Sequence, residues 1–170
     1  EGRGTGVAEF FGITASGNAF VFVVDISGSM RGGRFTRAKA ELRRSIDALN
    51  EKQSYYIIFY NHRTLPMPSG GLLAATTQNL VKTTRWMTRY ARCTGDTYPE
   101  PALKMALRIR PDAVFLLSDG EFDRFVAVRI SEYQTGFPVP IHTVGFTNRD
   151  GEAVLKAIAE RTGGTYRFVR

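Results

Sequence analysis

The 170 residues carry 43% hydrophobic and 23% charged side chains, ordinary for a folded domain and outside the range of disordered chains. No apolar run approaches the roughly 18 residues that a membrane span needs, and no charged leader with a cleavable apolar segment opens the chain. The length suits one domain with a sizeable core. The net charge of +7 favours acidic partners without by itself implying nucleic acid.

The chain begins on Glu1 rather than Met, as a segment cut from a longer protein would. Glu1 to Thr5 is glycine-rich, the composition of a frayed end. Ala8 to Ile13 is apolar and Ala15-Ser16-Gly17-Asn18 reads as a turn, so an added edge strand is expected to lead into the main one. Residues 1–17 are therefore read as an N-terminal extension, and 18–170 as the domain proper.

Ala19 to Ile26 is apolar at every position before Asp25, which predicts a central strand covered on both faces. Gly32-Gly33 closes the loop that follows. Phe35, Ala38, Leu42, Ile46 and Leu49 then recur at helical spacing, with Arg34, Arg37, Glu41 and Arg44 outside the stripe. Ser54 to Tyr60 is a second strand. Pro66 and Pro68 confine the short piece Thr64 to Met67 to a sheet edge.

Thr76 to Arg92 reads as a helix with Leu80, Thr84, Met87 and Ala91 on one side and Lys82, Arg85, Arg89 and Arg92 on the other. A loop from Cys93 to Pro99 leads to a helix over about Glu100 to Ile109, with Pro101 tolerated in its first turn. Ala113 to Leu117 is a buried strand ending in Ser118-Asp119-Gly120. Phe122 to Gln134 is helical, with Phe125 or Val126, then Arg129, Ile130 and Tyr133, on one face. Pro140 to Val144, Gly151 to Arg161 and Thr165 to Val169 read as strand, helix and strand.

Strands alternating with helices give an α/β fold with a doubly wound, mostly parallel sheet, helices on both faces and one short antiparallel edge strand. Ligands of such sheets bind beyond the carboxyl ends of the strands, near the switch in strand order. Three oxygen-bearing loops belong at that edge: after Ile26, before Glu100 and after Leu117.

The first of them, Asp25-Ile26-Ser27-Gly28-Ser29, presents one carboxylate and two hydroxyls at alternate positions, just where a glycine-containing turn breaks the strand. That is hard-oxygen chemistry suited to a small divalent cation such as Mg²⁺, with Mn²⁺ or Ca²⁺ as substitutes. Neutral hydroxyls leave such an ion incompletely compensated, so a carboxylate from outside binds it well. No nucleophile is paired with a base.

Together, Asp25-x-Ser27-x-Ser29, Gly95-Asp96-Thr97 followed by Pro101-Ala102-Leu103, and Leu116-Leu117-Ser118-Asp119-Gly120 resemble the von Willebrand factor type A (VWA) domain and its metal-ion-dependent adhesion site (MIDAS). The resemblance covers nearly the whole chain. It implies that Ser27 and Ser29 are direct ligands and that Thr97 binds directly or through water. Asp25 and Asp119 would hold the waters that complete the shell, and one position would be left for a partner's Asp or Glu. Asp96 is a departure, since many members have glycine there. The resemblance further implies a protein-binding module for adhesion or complex assembly, and a monomeric domain with no catalytic residues is expected. Its compartment is not given by the sequence, although many members lie outside the cytoplasm or at the cell envelope.

Plainer roles compete at each position. The serines after Asp25 suit a turn that caps backbone groups, Thr97 suits an N-cap, and Asp119-Gly120 suits an ordinary turn. Glu121 is either an accessory to the metal or a solvated first-turn acid. His62 and His142 read as structural, as does Cys93, a small half-buried residue near a helix end that has no disulfide partner. Arg85, Arg89 and Arg92 form either a solvated helix face or a patch for docking a partner.

Two other functions compete with this reading. A metal-dependent phosphohydrolase would use Asp25 as nucleophile, but Ser27 stands where such sites place a second acid. Nucleic-acid binding through the arginine-rich helix lacks interleaved aromatics, and no nucleic-acid partner is expected.

Overall fold

Two four-residue strands open the described chain and pair with each other, β1 (Val7–Phe10) and β2 (Ile13–Ser16). This computed structural model describes residues 6–89, 92–134 and 136–170. The expectations for Glu1 to Thr5 and for Ala91 in a helical stripe lie outside those residues.

The N-terminal reading needs correction. Ala8 to Ile13 is two strands rather than one, split at Phe11 and Gly12, whose φ values of 47° and 79° make a tight hairpin turn. Ala15 and Ser16, expected in a turn, belong to β2. The hairpin forms a sheet of its own instead of lengthening the main one. Its strands alternate buried and exposed residues, so only one face is covered. Phe10 supplies that contact, edge-on to Phe22 at 5.4 Å and Phe115 at 5.8 Å. A strand with one apolar face gains more by lying on a core than by extending a sheet edge.

The main sheet contains β3 (Ala19–Asp25), β4 (Ser54–Tyr60), β5 (Thr64–Pro66), β6 (Leu73–Ala74), β7 (Ala113–Ser118), β8 (Ile141–Phe146) and β9 (Tyr166–Val169). Its order is β5-β4-β3-β7-β8-β9, with β6 also on β4. Parallel pairing runs from β4 to β9, while β5 and β6 lie antiparallel along the outer side of β4. The edge strand expected around Pro66 is therefore present. The two-residue β6 carries too short a pattern to be read from sequence.

The helices are α1 (Gly33–Asp47), α2 (Thr77–Arg89), α3 (Glu100–Arg108), α4 (Val126–Tyr133) and α5 (Glu152–Thr162). Helix α1 packs with α2 and the hairpin, while α3, α4 and α5 form a second layer. In-register pairing puts Phe22, Phe115 and Phe59 on the α1–α2 side of the sheet. Phe22 stacks on Phe115 at 5.2 Å, and Phe59 sits between Phe35 of α1 and Trp86 of α2. Burying each such ring contributes about 1.5–3 kcal/mol.

The α1 stripe from Phe35 to Leu49 is buried as its spacing predicts. In α2 the buried positions are Thr83 and Met87, with Leu80 and Thr84 only partly covered. Helix α4 starts at Val126, four residues later than expected. Asp123 accepts a hydrogen bond from the Phe125 backbone N–H at 2.9 Å, holding a turn that competes with the helix. Phe125 is consequently exposed, and Val126 joins Ala127 and Ile130 inside. Tyr133, also expected on the inward face, is 43% exposed.

Strand order reverses between the β3–β4 and β3–β7 pairs, so the carboxyl ends of β3 and β7 meet at the switch point. Among the described residues, no helix is long and apolar enough to cross a membrane.

Candidate metal centre

Asp25 closes β3 and is fully buried. Its two oxygens accept from the chain itself, Oδ1 from the Ser27 backbone N–H at 2.7 Å and Oδ2 from Ser118 Oγ at 3.1 Å. No cationic side chain pairs with it among the described residues. Burial, above all, raises its pKa from 3.8 to about 6, and the Asp119 charge adds to the rise, while the hydrogen bonds oppose it.

Beyond Asp25 the chain enters a short 3₁₀ turn, Gly28–Met30, which brings Ser27 Oγ within 3.2 Å of Ser29 Oγ. Ser29 Oγ donates in turn to Asp119 Oδ1 at 2.7 Å. Residues far apart in sequence thus form one connected group: Asp25 and Ser27, Ser27 and Ser29, Ser29 and Asp119. They converge because β3 and β7 are neighbours.

The loop bearing Thr97 closes over this group. Thr94 N–H donates to Ile26 O at 3.0 Å, and Gly28 N–H donates to Gly95 O at 3.0 Å. Asn61 Nδ2 and Arg31 Nε hold the Thr94 and Cys93 carbonyls at 2.8 and 2.9 Å. Gly95 has φ 79°, and a Cβ there would collide with the His62 ring. His62 therefore supports this loop, a role its sequence position did not suggest. Thr97 Oγ1 lies 3.5 Å from where a Gly120 Cβ would stand, which sets Thr97 over the third loop.

An open pocket of about 530 Å³ lies over the group, lined by Ser27, Ser29, Asp96, Thr97, Glu121 and neighbouring loop residues. Asp96 and Glu121 are exposed at its rim. The expected accessory residues thus share the pocket with Thr97 and the serines. Arg85 instead lines a separate depression between α1 and α2, and Arg89 and Arg92 are exposed without lining the site pocket.

Sequence reasoning missed three contributors. Ser118 links Asp25 to the Gly120 carbonyl, which it meets at 3.2 Å. Asn148, in the loop after β8, donates through Nδ2 to the Asp119 carbonyl. Arg34, read as an outward residue of α1, turns its guanidinium to Asp119 Oδ2 at 3.0 Å. The other two histidine and cysteine expectations stand as structural features: His142 Nδ1 accepts from the Thr165 N–H at 3.0 Å, and Cys93 is buried.

Among the described residues, no group of three or more His, Cys, Asp or Glu side chains is arranged to hold a metal ion by itself. The donor set is instead rich in hydroxyls, with two buried carboxylates and one buried charge, Asp25, left uncompensated. Such a set fits a hard divalent cation better than a soft or nitrogen-preferring one.

The model of the von Willebrand factor type A domain matches residues 18–168. Among relatives, the uncharacterized protein sll0103 of Synechocystis sp. is 24% identical over an alignment 163 residues long, which covers 86% of this chain and 36% of that protein. A von Willebrand factor type A structure from Catenulispora acidiphila superposes with a TM-score of 0.79 and 21% identity, over 92% of this chain and 40% of its own. The ArnB paralog VWA2 from Sulfolobus acidocaldarius does so at 0.61 and 15%, over 95% of this chain and 48% of its own. The chain thus spans less than half the length of each of these proteins. The structural likenesses speak to the fold, and the family match runs from β3 to the last strand. This chain belongs to the von Willebrand factor type A domain family, whose members commonly serve in protein interactions.

Proposed function

We propose that the chain is a metal-dependent protein-binding module in which a divalent cation, Mg²⁺ in the first instance, captures an Asp or Glu of a partner. The observation that carries this reading is the buried, uncompensated Asp25 beneath the linked Ser27–Ser29–Asp119 group. Ser27, Ser29 and Thr97 would hold the cation with their hydroxyls, and Asp25 and Asp119 would orient its waters. The bound cation would supply positive charge for an incoming carboxylate. Asp96 and Glu121, exposed at the pocket rim, would strengthen its pull on cations and repel stray acidic groups.

On this reading the domain binds and does not catalyse. Ser27, two residues after the carboxylate, has too high a pKa to act as a general acid near neutral pH. Adhesion or complex assembly is the role we assign to the parent protein.

The test is thermal unfolding of wild type, Asp25→Ala and Thr97→Ala in Mg²⁺, Mn²⁺ or EDTA. With the ion tenfold above its Kd, linkage adds about 1.4 kcal/mol, a rise of a few degrees in wild type only. Equal melting of wild type in metal and in EDTA, at every ion concentration tried, would sink the reading.

A further inference from the structure

The Asp119 carboxylate already carries a cation of the chain's own. Its side chain is fully buried, and both oxygens are engaged: Oδ1 accepts from Ser29 Oγ at 2.7 Å, and Oδ2 accepts from Arg34 Nη1 at 3.0 Å. The same Nη1 lies 3.3 Å from the Ser29 carbonyl. Arg34 stands in the first turn of α1 with its side chain 40% exposed, so it reaches the site from the solvent side. Among the described residues, Asp25 has no such cationic partner.

We propose that Arg34 is the resident counter-charge of this site and sets how strongly it holds its cation and its acidic ligand. The inference rests on the metal-dependent reading above. With Asp25 and Asp119 ionised, the site carries two negative charges, and Arg34 reduces them to one. A divalent cation therefore enters against the guanidinium and is held less tightly than by the two carboxylates alone. Once it is bound, the site carries one net positive charge rather than none, and a carboxylate from outside is drawn more strongly. Arg34 thus trades cation affinity for carboxylate affinity, which favours binding of the metal and the acidic partner together. A residue that merely braced α1 would not move the two affinities in opposite directions.

The experiment is calorimetric titration of the protein with Mg²⁺, for wild type, Arg34→Gln and Arg34→Lys, with and without sodium acetate at constant ionic strength. Circular dichroism establishes that each variant is folded. Arg34→Gln is expected to bind Mg²⁺ about three- to tenfold more tightly, the scale of one partly screened charge pair. Acetate should tighten Mg²⁺ binding to wild type and do so less for Arg34→Gln, and Arg34→Lys should stay near wild type. Equal or weaker Mg²⁺ binding by Arg34→Gln, while Asp25→Ala loses it, overturns the role of Arg34 and leaves the metal site standing. No Mg²⁺ or Mn²⁺ binding by wild type or Arg34→Gln overturns both.

Discussion

Asp25→Asn should stabilise the metal-free protein at neutral pH, although it removes a residue of the proposed site. The folded-state pKa of Asp25 is raised from 3.8 to about 6, chiefly by burial. A carboxyl with a raised folded pKa contributes stability below its unfolded value, and that contribution is lost as pH rises from about 4 through about 6. By pH 7.5 the ionised group costs up to about 3 kcal/mol, taking two pKa units at 1.36 kcal/mol each. Asparagine keeps the local bonds: its Oδ1 accepts from Ser27 N–H, and its Nδ2 donates to Ser118 Oγ once that hydroxyl turns its hydrogen from residue 25 to the Gly120 carbonyl. At about 2–4 °C per kcal/mol for a domain of this size, the gain in melting temperature is several degrees. The assay is differential scanning calorimetry of both proteins in EDTA from pH 4 to pH 8, repeated in excess Mg²⁺. Asp25→Asn should melt above wild type at pH 7.5, converge with it near pH 4, and lose its advantage in Mg²⁺ because only wild type gains from the ion. A variant less stable than wild type in EDTA across the whole range would refute the claim that Asp25 is an uncompensated buried charge.

Other consequences follow from the same geometry. Mg²⁺ affinity of wild type should fall toward tenfold per pH unit below about pH 6, as protons compete for Asp25; calorimetric titrations at several pH values read this directly. Gly95→Ala places a side chain against the His62 ring at a positive φ, so it should weaken Mg²⁺ binding with little change in overall melting, and His62→Ala should recover only the part due to the collision. Phe115→Ala removes a ring stacked on Phe22 and touching Phe10, and chemical denaturation should show a loss of about 3–5 kcal/mol. Charge reversal at Arg85 and Arg89, which lie outside the site pocket, should leave Mg²⁺ affinity within about twofold by titration.

The main strands were legible because the sheet is covered on both sides. Phe20 to Val24, Ile57 to Phe59 and Val114 to Leu117 are unbroken apolar runs, which only a doubly covered strand tolerates. The α1 stripe was legible for the same reason at a different period. Asp25, Ser27 and Ser29 could be singled out because a carboxylate and two hydroxyls directly after a buried strand contradict the apolar pattern around them. Asp119 and Thr97 were recognised through their loops, whose resemblance to the family supplied the pairing. The hairpin was misread because Phe11 is as apolar as its neighbours, and its positive φ follows from the turn rather than from its side chain.

Local chemistry in the sequence therefore determined which oxygens face the end of the sheet and the strands that carry them. Tertiary structure alone decided the charge balance at that edge. Arg34 looks like one more solvated arginine on α1, and its guanidinium meets Asp119 only because β3 and β7 are neighbours and α1 starts at their common rim. Among the described residues Asp25 has no such cation, since the strands that meet beneath it, β3, β4 and β7, carry none. Sequence spacing specifies the donors, but electrostatic compensation depends on through-space distance, which the folded chain sets.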